Sequence, residues 1–247
     1  MTEEYRAPKF EELLERFQAK VAAIPADCYE AIMYWHMAKE VQAARIAAEN
    51  RLGQVVKIGK KVFYADGELP EHIKAVMVKG DIKHFEELRK MEGLFTRNCE
   101  KAFKTTRWYN EVARPAAENV GLGPLLAGEL LWTIGSASRF ETFGKIVRYA
   151  GLDVTREGKA PKRAKGQRIT WNPKLRTALF KLTEGWLKMP ESIWRARWDG
   201  WKAWYAENRP EVLEEKGGKG HIHNMARRKV QREFLRNLWT LWAEFEE

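Results

Sequence analysis

Apolar residues recur at intervals of three and four along most of this chain, the period of helices that bury one face. Between Pro8 and Ile24 the residues Phe10, Leu13, Leu14, Phe17 and Val21 mark such a face, and Pro25 closes it. Asp27, with Glu30 three residues on, reads as a capping box. It opens a second helix through Trp35, Val41 and Ile46 that stops at Gly53. The middle of this helix is rich in small residues (Ala38, Ala43, Ala44, Ala47, Ala48), which let a neighbouring helix come close. Residues 54–64, QVVKIGKKVFY, change the pattern: β-formers around Gly59-Lys60-Lys61 predict a small hairpin. Helical spacing returns after Pro70, first with Asp81, Phe85 and Leu88, then as a long helix from Leu94 to Val112.

The second half carries sharper punctuation. Ala117-Glu118-Asn119-Val120 leads into Gly121-Leu122-Gly123-Pro124, and Leu125 to Leu131 restart a helix with Pro124 in its first turn. Two glycines permit a tight turn with no Cβ between backbone and ligand. The following helix offers unpaired N–H groups and a positive dipole end to an anion. These are the parts of a helix-hairpin-helix, whose phosphate contact positions nucleic acid without reading bases. Further on, a helix ends at Tyr149-Ala150 with Gly151 as the left-handed residue beyond it.

Residues 155–168, TREGKAPKRAKGQR, form a loop with the cations Arg156, Lys159, Lys162, Arg163, Lys165 and Arg168 against the single acid Glu157. A solvated surface loop mixes signs, so this one reads as an arm for a polyanion. Asn172-Pro173 caps a helix with Leu175, Leu179, Leu182 and Trp186 on one face and Lys174, Arg176 and Lys181 on the other. Pro190 opens the next, where Trp194, Trp198, Trp201, Trp204 and Tyr205 form an aromatic stripe. At helical spacing such a stripe is expected to be core, with a base-stacking platform as the alternative. After a Gly217–Gly220 link, Ala226, Val230, Phe234, Leu238, Leu241 and Phe245 line the last helix. Its start carries Arg227, Arg228, Lys229, Arg232 and Arg236.

The charge balance supports the polyanion reading. Lysine and arginine number 44 against 34 acids, a net +10, and neutralised phosphates release counterions. Cys28 and Cys99 are too few and too far apart for a disulfide framework or a metal-binding CxxC pair. With no apolar run of membrane-spanning length and no secretory leader pattern, the cytoplasm is the expected compartment. His221-Ile222-His223 cannot place both rings on one helical face and has no third ligand nearby. No phosphate-binding Walker loop, HExxH or nucleophile elbow occurs, so no cofactor is expected.

From about Asn119 to Glu244 the sequence resembles the C-terminal domain of DEDD-type insertion-sequence transposases, the family that includes pilin-gene invertases. The resemblance runs through VGLGPLLAGELLWTIGSASRFETFGKIVRYAGL, the basic loop and NPKLRTALF. It ends with HIHNMARRKVQREFLRNLW, which is similar to the tail of archaeal-style members. It implies a helical domain containing the helix-hairpin-helix that binds nucleic acid during recombination. Active members also carry a RuvC-like domain with four acidic residues, and residues 1–113 show no βαβ pattern to host one. Active members place a serine nucleophile just after the segment matched by Tyr149–Leu152. Here the stretch Asp153–Gly158 offers only the hydroxyl of Thr155.

The expectation is an all-α protein in two parts. Residues 1–113 form a helical module for dimerisation or docking, the homodimer running through residues 8–52. Residues 114–247 form a transposase-like helix-hairpin-helix domain of a mobile-element protein, binding DNA ahead of structured RNA and without catalysis of its own. The candidate contacts are Gly121, Leu122, Gly123, Arg156, Lys159, Lys162, Arg163, Lys165, Arg168, Lys174, Arg227 and Arg228. A split or residual transposase working with a nuclease in trans is the alternative.

Overall fold

The structure, a computed structural model, describes Glu15 and residues 18–55, 79–154, 160–162, 166, 169–214 and 217–247. Its regular elements are helical, and no strand occurs among the described residues. Two long helices come first: α1 (Tyr29–Val55) and α2 (Lys79–Thr105). Gly53 lies inside α1, so Gln54 and Val55 are helical rather than the start of a hairpin. One glycine costs a helix only about 1 kcal/mol, too little to stop it. The rest of the predicted hairpin lies outside the described residues.

Two compact units divide the chain, residues 30–103 and residues 1–29 with 104–247. In the smaller unit Ile32, Trp35 and Ala38 of α1 and Leu88, Cys99 and Phe103 of α2 are buried. Glu92 accepts from Gln42 and pairs with Arg45, tying the two helices together. Of the small residues expected to form a close-packed seam, Ala38 and Ala48 are buried while Ala43, Ala44 and Ala47 are exposed.

In the larger unit Asp27 does not form the expected capping box. It sits in a short 3-10 turn (Ala26–Cys28), and its carboxylate accepts the backbone N–H of Arg107 at 2.6 Å. From Trp108 to Ala113 the helix widens into a π turn where sequence periodicity read an ordinary helix to Val112. Pro115 explains the widening: it has no N–H for the Glu111 carbonyl, and its ring crowds that group.

Then follow α3 (Pro124–Ile134), α4 (Phe143–Tyr149), α5 (Pro173–Leu187), α6 (Ile193–Asn208), α7 (Pro210–Glu214) and α8 (Gly218–Glu246). The start of α6 is set by Ser192, whose hydroxyl accepts from the Trp194 N–H, so the helix begins after Pro190 rather than at it. Gly217–Gly220 is not a free link. Gly217, at φ +84°, precedes α8, and a Cβ on Gly218 would sit 2.0 Å from the Val212 carbonyl oxygen. The long α8 lies along α6 and the π turn and buries Ala226, Val230, Phe234, Leu238 and Trp242. Trp186 and Trp194 stack face to face with centroids 4.5 Å apart, and Phe234 meets both edge-on. The aromatic stripe of α6 is thus largely core: Trp194, Trp198 and Tyr205 are buried, while Trp204 is 46% exposed.

Candidate nucleic-acid interface

Three side-chain donors hold backbone carbonyls within and just before the Gly121–Gly123 turn. Trp186 Nε1 donates to the Val120 carbonyl at 2.8 Å, Trp194 Nε1 to Ala117 at 2.9 Å, and the Tyr109 hydroxyl to Leu122 at 2.9 Å. Leu122 is buried between two exposed glycines. These glycines answer different demands. Gly121 has φ +70°, and a Cβ there would come within 2.8 Å of the Trp186 ring. Gly123 precedes α3 in extended geometry, and nothing lies within 4 Å of the Cβ it lacks. Among the described residues no acceptor takes the N–H of either glycine. The turn is entered through Glu118 and Asn119, both left-handed, at φ 54° and 59°. The N–H groups of these residues close the preceding helix onto Pro115 and Arg114 at 2.8 Å each, so the strain is held by a C-terminal cap.

The basic loop leaves and re-enters the fold at one neck. Gly151 (φ +67°) and Leu152 cap α4, their N–H groups donating to the Arg148 and Val147 carbonyls at 3.0 Å each. The ring of Trp171 lies against Gly151, with no room for a Cβ. Asn172 secures the return. Its N–H donates to the Tyr149 carbonyl at 2.7 Å and its Nδ2 to the Tyr149 hydroxyl at 2.7 Å, while its Oδ1 caps α5.

Cations gather beside this neck. Arg228 is half-buried and donates to the Asp153 carbonyl at 3.5 Å. Burial lowers its pKa below the ordinary value, and the charges of Arg176 and Arg232 push the same way, against Asp153 and Tyr205. Arg176 lies over the Trp171 ring and donates to the Pro161 carbonyl at 3.2 Å, which ties α5 to the loop. Lys162 and Lys174 are exposed. Arg227 is engaged within the fold: it pairs with Glu184 at 2.6 Å, contacts His223 at 2.6 Å and covers the Phe180 ring.

Of the expected contacts, Gly121, Leu122, Gly123, Lys162, Lys174, Arg227 and Arg228 are thus placed. Arg156, Lys159, Arg163, Lys165 and Arg168 lie outside the described residues, as does Thr155. Arg176, read from the sequence as an exposed position of its helix, and Arg232, read among the cations at the start of the last helix, join Arg228 here. Arg232 stands one helical turn from Arg228, a spacing visible in sequence, whereas Arg176 arrives from another helix. No cluster of three metal-ligating side chains and no helix long and apolar enough to cross a membrane occurs among the described residues.

Residues 116–199 match the sequence model described as the Transposase IS116/IS110/IS902 family. That segment of the chain is transposase-related. The matched segment begins just before the glycine turn, contains the basic loop and its neck, and ends within α6. No curated protein matches the chain.

Proposed function

We propose that this protein binds nucleic acid, DNA ahead of structured RNA, through a helix-hairpin-helix at Gly121–Gly123 and the basic loop of residues 155–168. The observation that carries the proposal is the concentration of Arg176 and Arg232 around the half-buried Arg228, itself bonded to the Asp153 carbonyl, at the neck of a loop that is almost purely cationic. Like charges gathered in partly desolvated surroundings are costly unless an anion completes the site. The glycine turn adds exposed N–H groups without partners among the described residues at the start of α3. Such contacts bind phosphate and do not read bases, which suits a nucleoprotein role in a mobile element without catalysis by this chain.

The test is a salt titration of the full chain on a B-DNA duplex, followed by fluorescence anisotropy. With about five phosphates neutralised, log K is expected to fall against log salt with a slope of roughly −4 to −5, nearly independent of sequence. Replacing Lys162, Arg163 and Lys165 together by alanine should flatten the slope by about three units. A folded triple variant with unchanged affinity and slope would leave the loop a solvated surface.

The transposase match favours one further reading, a split or residual transposase completed by a nuclease supplied in trans. Strand exchange by the chain with such a nuclease, abolished in Thr155→Ala, would carry it. Exchange that persists in the variant removes Thr155 from the chemistry.

A further inference from the structure

Away from the loop neck, residues 136–138 form a cradle of donors. The Ala137 N–H donates to one oxygen of the Glu246 carboxylate at 3.1 Å; the Ser138 N–H and Ser136 Oγ donate to the other at 2.9 Å each. The two serine hydroxyls lie 2.6 Å apart, and Ser138 N–H also reaches Ser136 Oγ at 3.1 Å, which organises the turn. Successive N–H groups converging on one anion make a nest, a form that recurs at phosphate sites.

The cradle opens onto a groove of about 930 Å³ that is also lined by Lys20 and Arg139. Lys20 is half-buried over the Trp132 ring, its ammonium 4.1 Å from the centroid. Burial lowers its pKa, as do the charges of Lys174 and Arg139, and Glu129 opposes them. Arg139 follows the cradle directly and covers the Tyr149 ring at 4.8 Å. Among the described residues neither cation forms an ion pair. Glu246 is held by neutral donors, and among the residues that line the groove it is the one acid beside the two cations Lys20 and Arg139.

We propose that Ser136, Ala137 and Ser138, with Lys20 and Arg139 alongside, form a binding site for a phosphate group, and that the Glu246 carboxylate occupies it as a stand-in. A phosphate presents the same acceptor geometry to the three donors and carries additional oxygens and charge toward the two cations. The site is then self-occluded: a phosphate must displace Glu246, and release of Glu246 frees the end of α8. The site shares with the surface proposed above only Lys174, which acts through its charge, so the two proposals fail independently.

The experiment titrates the full chain and its Glu246→Gln and Glu246→Ala variants with inorganic phosphate by calorimetry at constant ionic strength, chloride serving as the control. A second arm uses an oligothymidylate as the phosphodiester source. Removing the carboxylate charge should tighten binding of at least one probe tenfold or more. Adding Arg139→Ala or Ser136→Ala should cancel the gain. A gain for phosphate alone assigns the site to a free or terminal phosphate, and a gain for the oligonucleotide assigns it to a nucleic-acid backbone. Glu246→Gln keeps an oxygen acceptor for the cradle, so a folded variant is at hand even where the alanine variant unfolds. A folded Glu246→Gln chain that binds both probes no better than wild type overturns the proposal and leaves Glu246 as a latch for α8.

Discussion

Substituting Gly121 and Gly123 of the turn by alanine should have opposite consequences for folding and binding. At Gly121 the backbone sits at φ +70°, where a Cβ costs about 1 kcal/mol. That Cβ would also lie 2.8 Å from Trp186 Cδ1, in a ring stacked on Trp194 and donating to the Val120 carbonyl. Phe234 also packs edge-on against the ring, with centroids 5.4 Å apart. Moving it forfeits a hydrogen bond worth about 0.5–1.5 kcal/mol and strains the packing by about 1–3 kcal/mol. Gly121→Ala should therefore destabilise the chain by about 2.5–5.5 kcal/mol. At Gly123 φ is −77° and the added Cβ meets nothing within 4 Å. Gly123→Ala loses a few tenths of a kcal/mol at the helix cap and regains a similar amount from the stiffer unfolded chain, so its net effect should stay within about 0.5 kcal/mol. Urea unfolding followed by circular dichroism measures both. On the phosphate reading, it is the folded Gly123 variant that loses DNA affinity, and a larger Gly123→Val side chain should lose more. Equal stability of Gly121→Ala and wild type would refute the packing argument; unchanged DNA affinity of both folded Gly123 variants would refute the backbone contact.

Burial and the charges of Arg227 and Lys202 lower the pKa of His223 below its ordinary 6.5. The unfolded chain therefore takes up this proton first as pH falls. The contribution of His223 to stability is present above about pH 6.5 and is lost below it. Urea midpoints should drop more between pH 7.5 and 5.5 for wild type than for His223→Gln, and equal drops would contradict the assignment. Cys28 and Cys99 are fully buried with pKa pushed up to about 12. On the order of one thiol in ten thousand is then ionised at pH 8, so labelling should be slow until denaturant opens the fold; rapid labelling of the native chain would show an opening the structure lacks. A homodimer through residues 8–52 predicts twice the chain mass by light scattering at tens of micromolar, with Met33 and Ile46 of α1 exposed in the single chain to serve it. A strict monomer removes that assembly.

Elements built from one periodic face were legible in the sequence. The predicted stripe Leu175, Leu179, Leu182 and Trp186 is buried in α5, and Asn172 caps that helix as its position implied. Gly151 was likewise readable as a helix terminator, since only glycine adopts such a cap without strain. Asp27 was misread because its N–H partner, Arg107, is 80 residues away, and local spacing cannot reveal a remote donor. The π turn was missed although Pro115 is plain in the sequence, because a proline says that a helix must yield without saying how. The basic loop announced itself by charge alone. Arg176 joining Arg228 and Arg232 did not, since that meeting depends on how α5 lies against α8.

The neck formed by Gly151, Trp171 and Asn172 separates the length of the loop from the stability of the domain. With both strands of the neck anchored to Tyr149 and α4, the segment between them closes over a fixed span whatever its length. Doubling the length of a closed segment costs only about 0.6 kcal/mol of closure entropy. Charges can therefore be added to the loop, removed from it or spaced differently with little disturbance of the helices beneath. On the proposed function, grip on a polyanion becomes a property that drifts in evolution, and can be redesigned, one loop residue at a time.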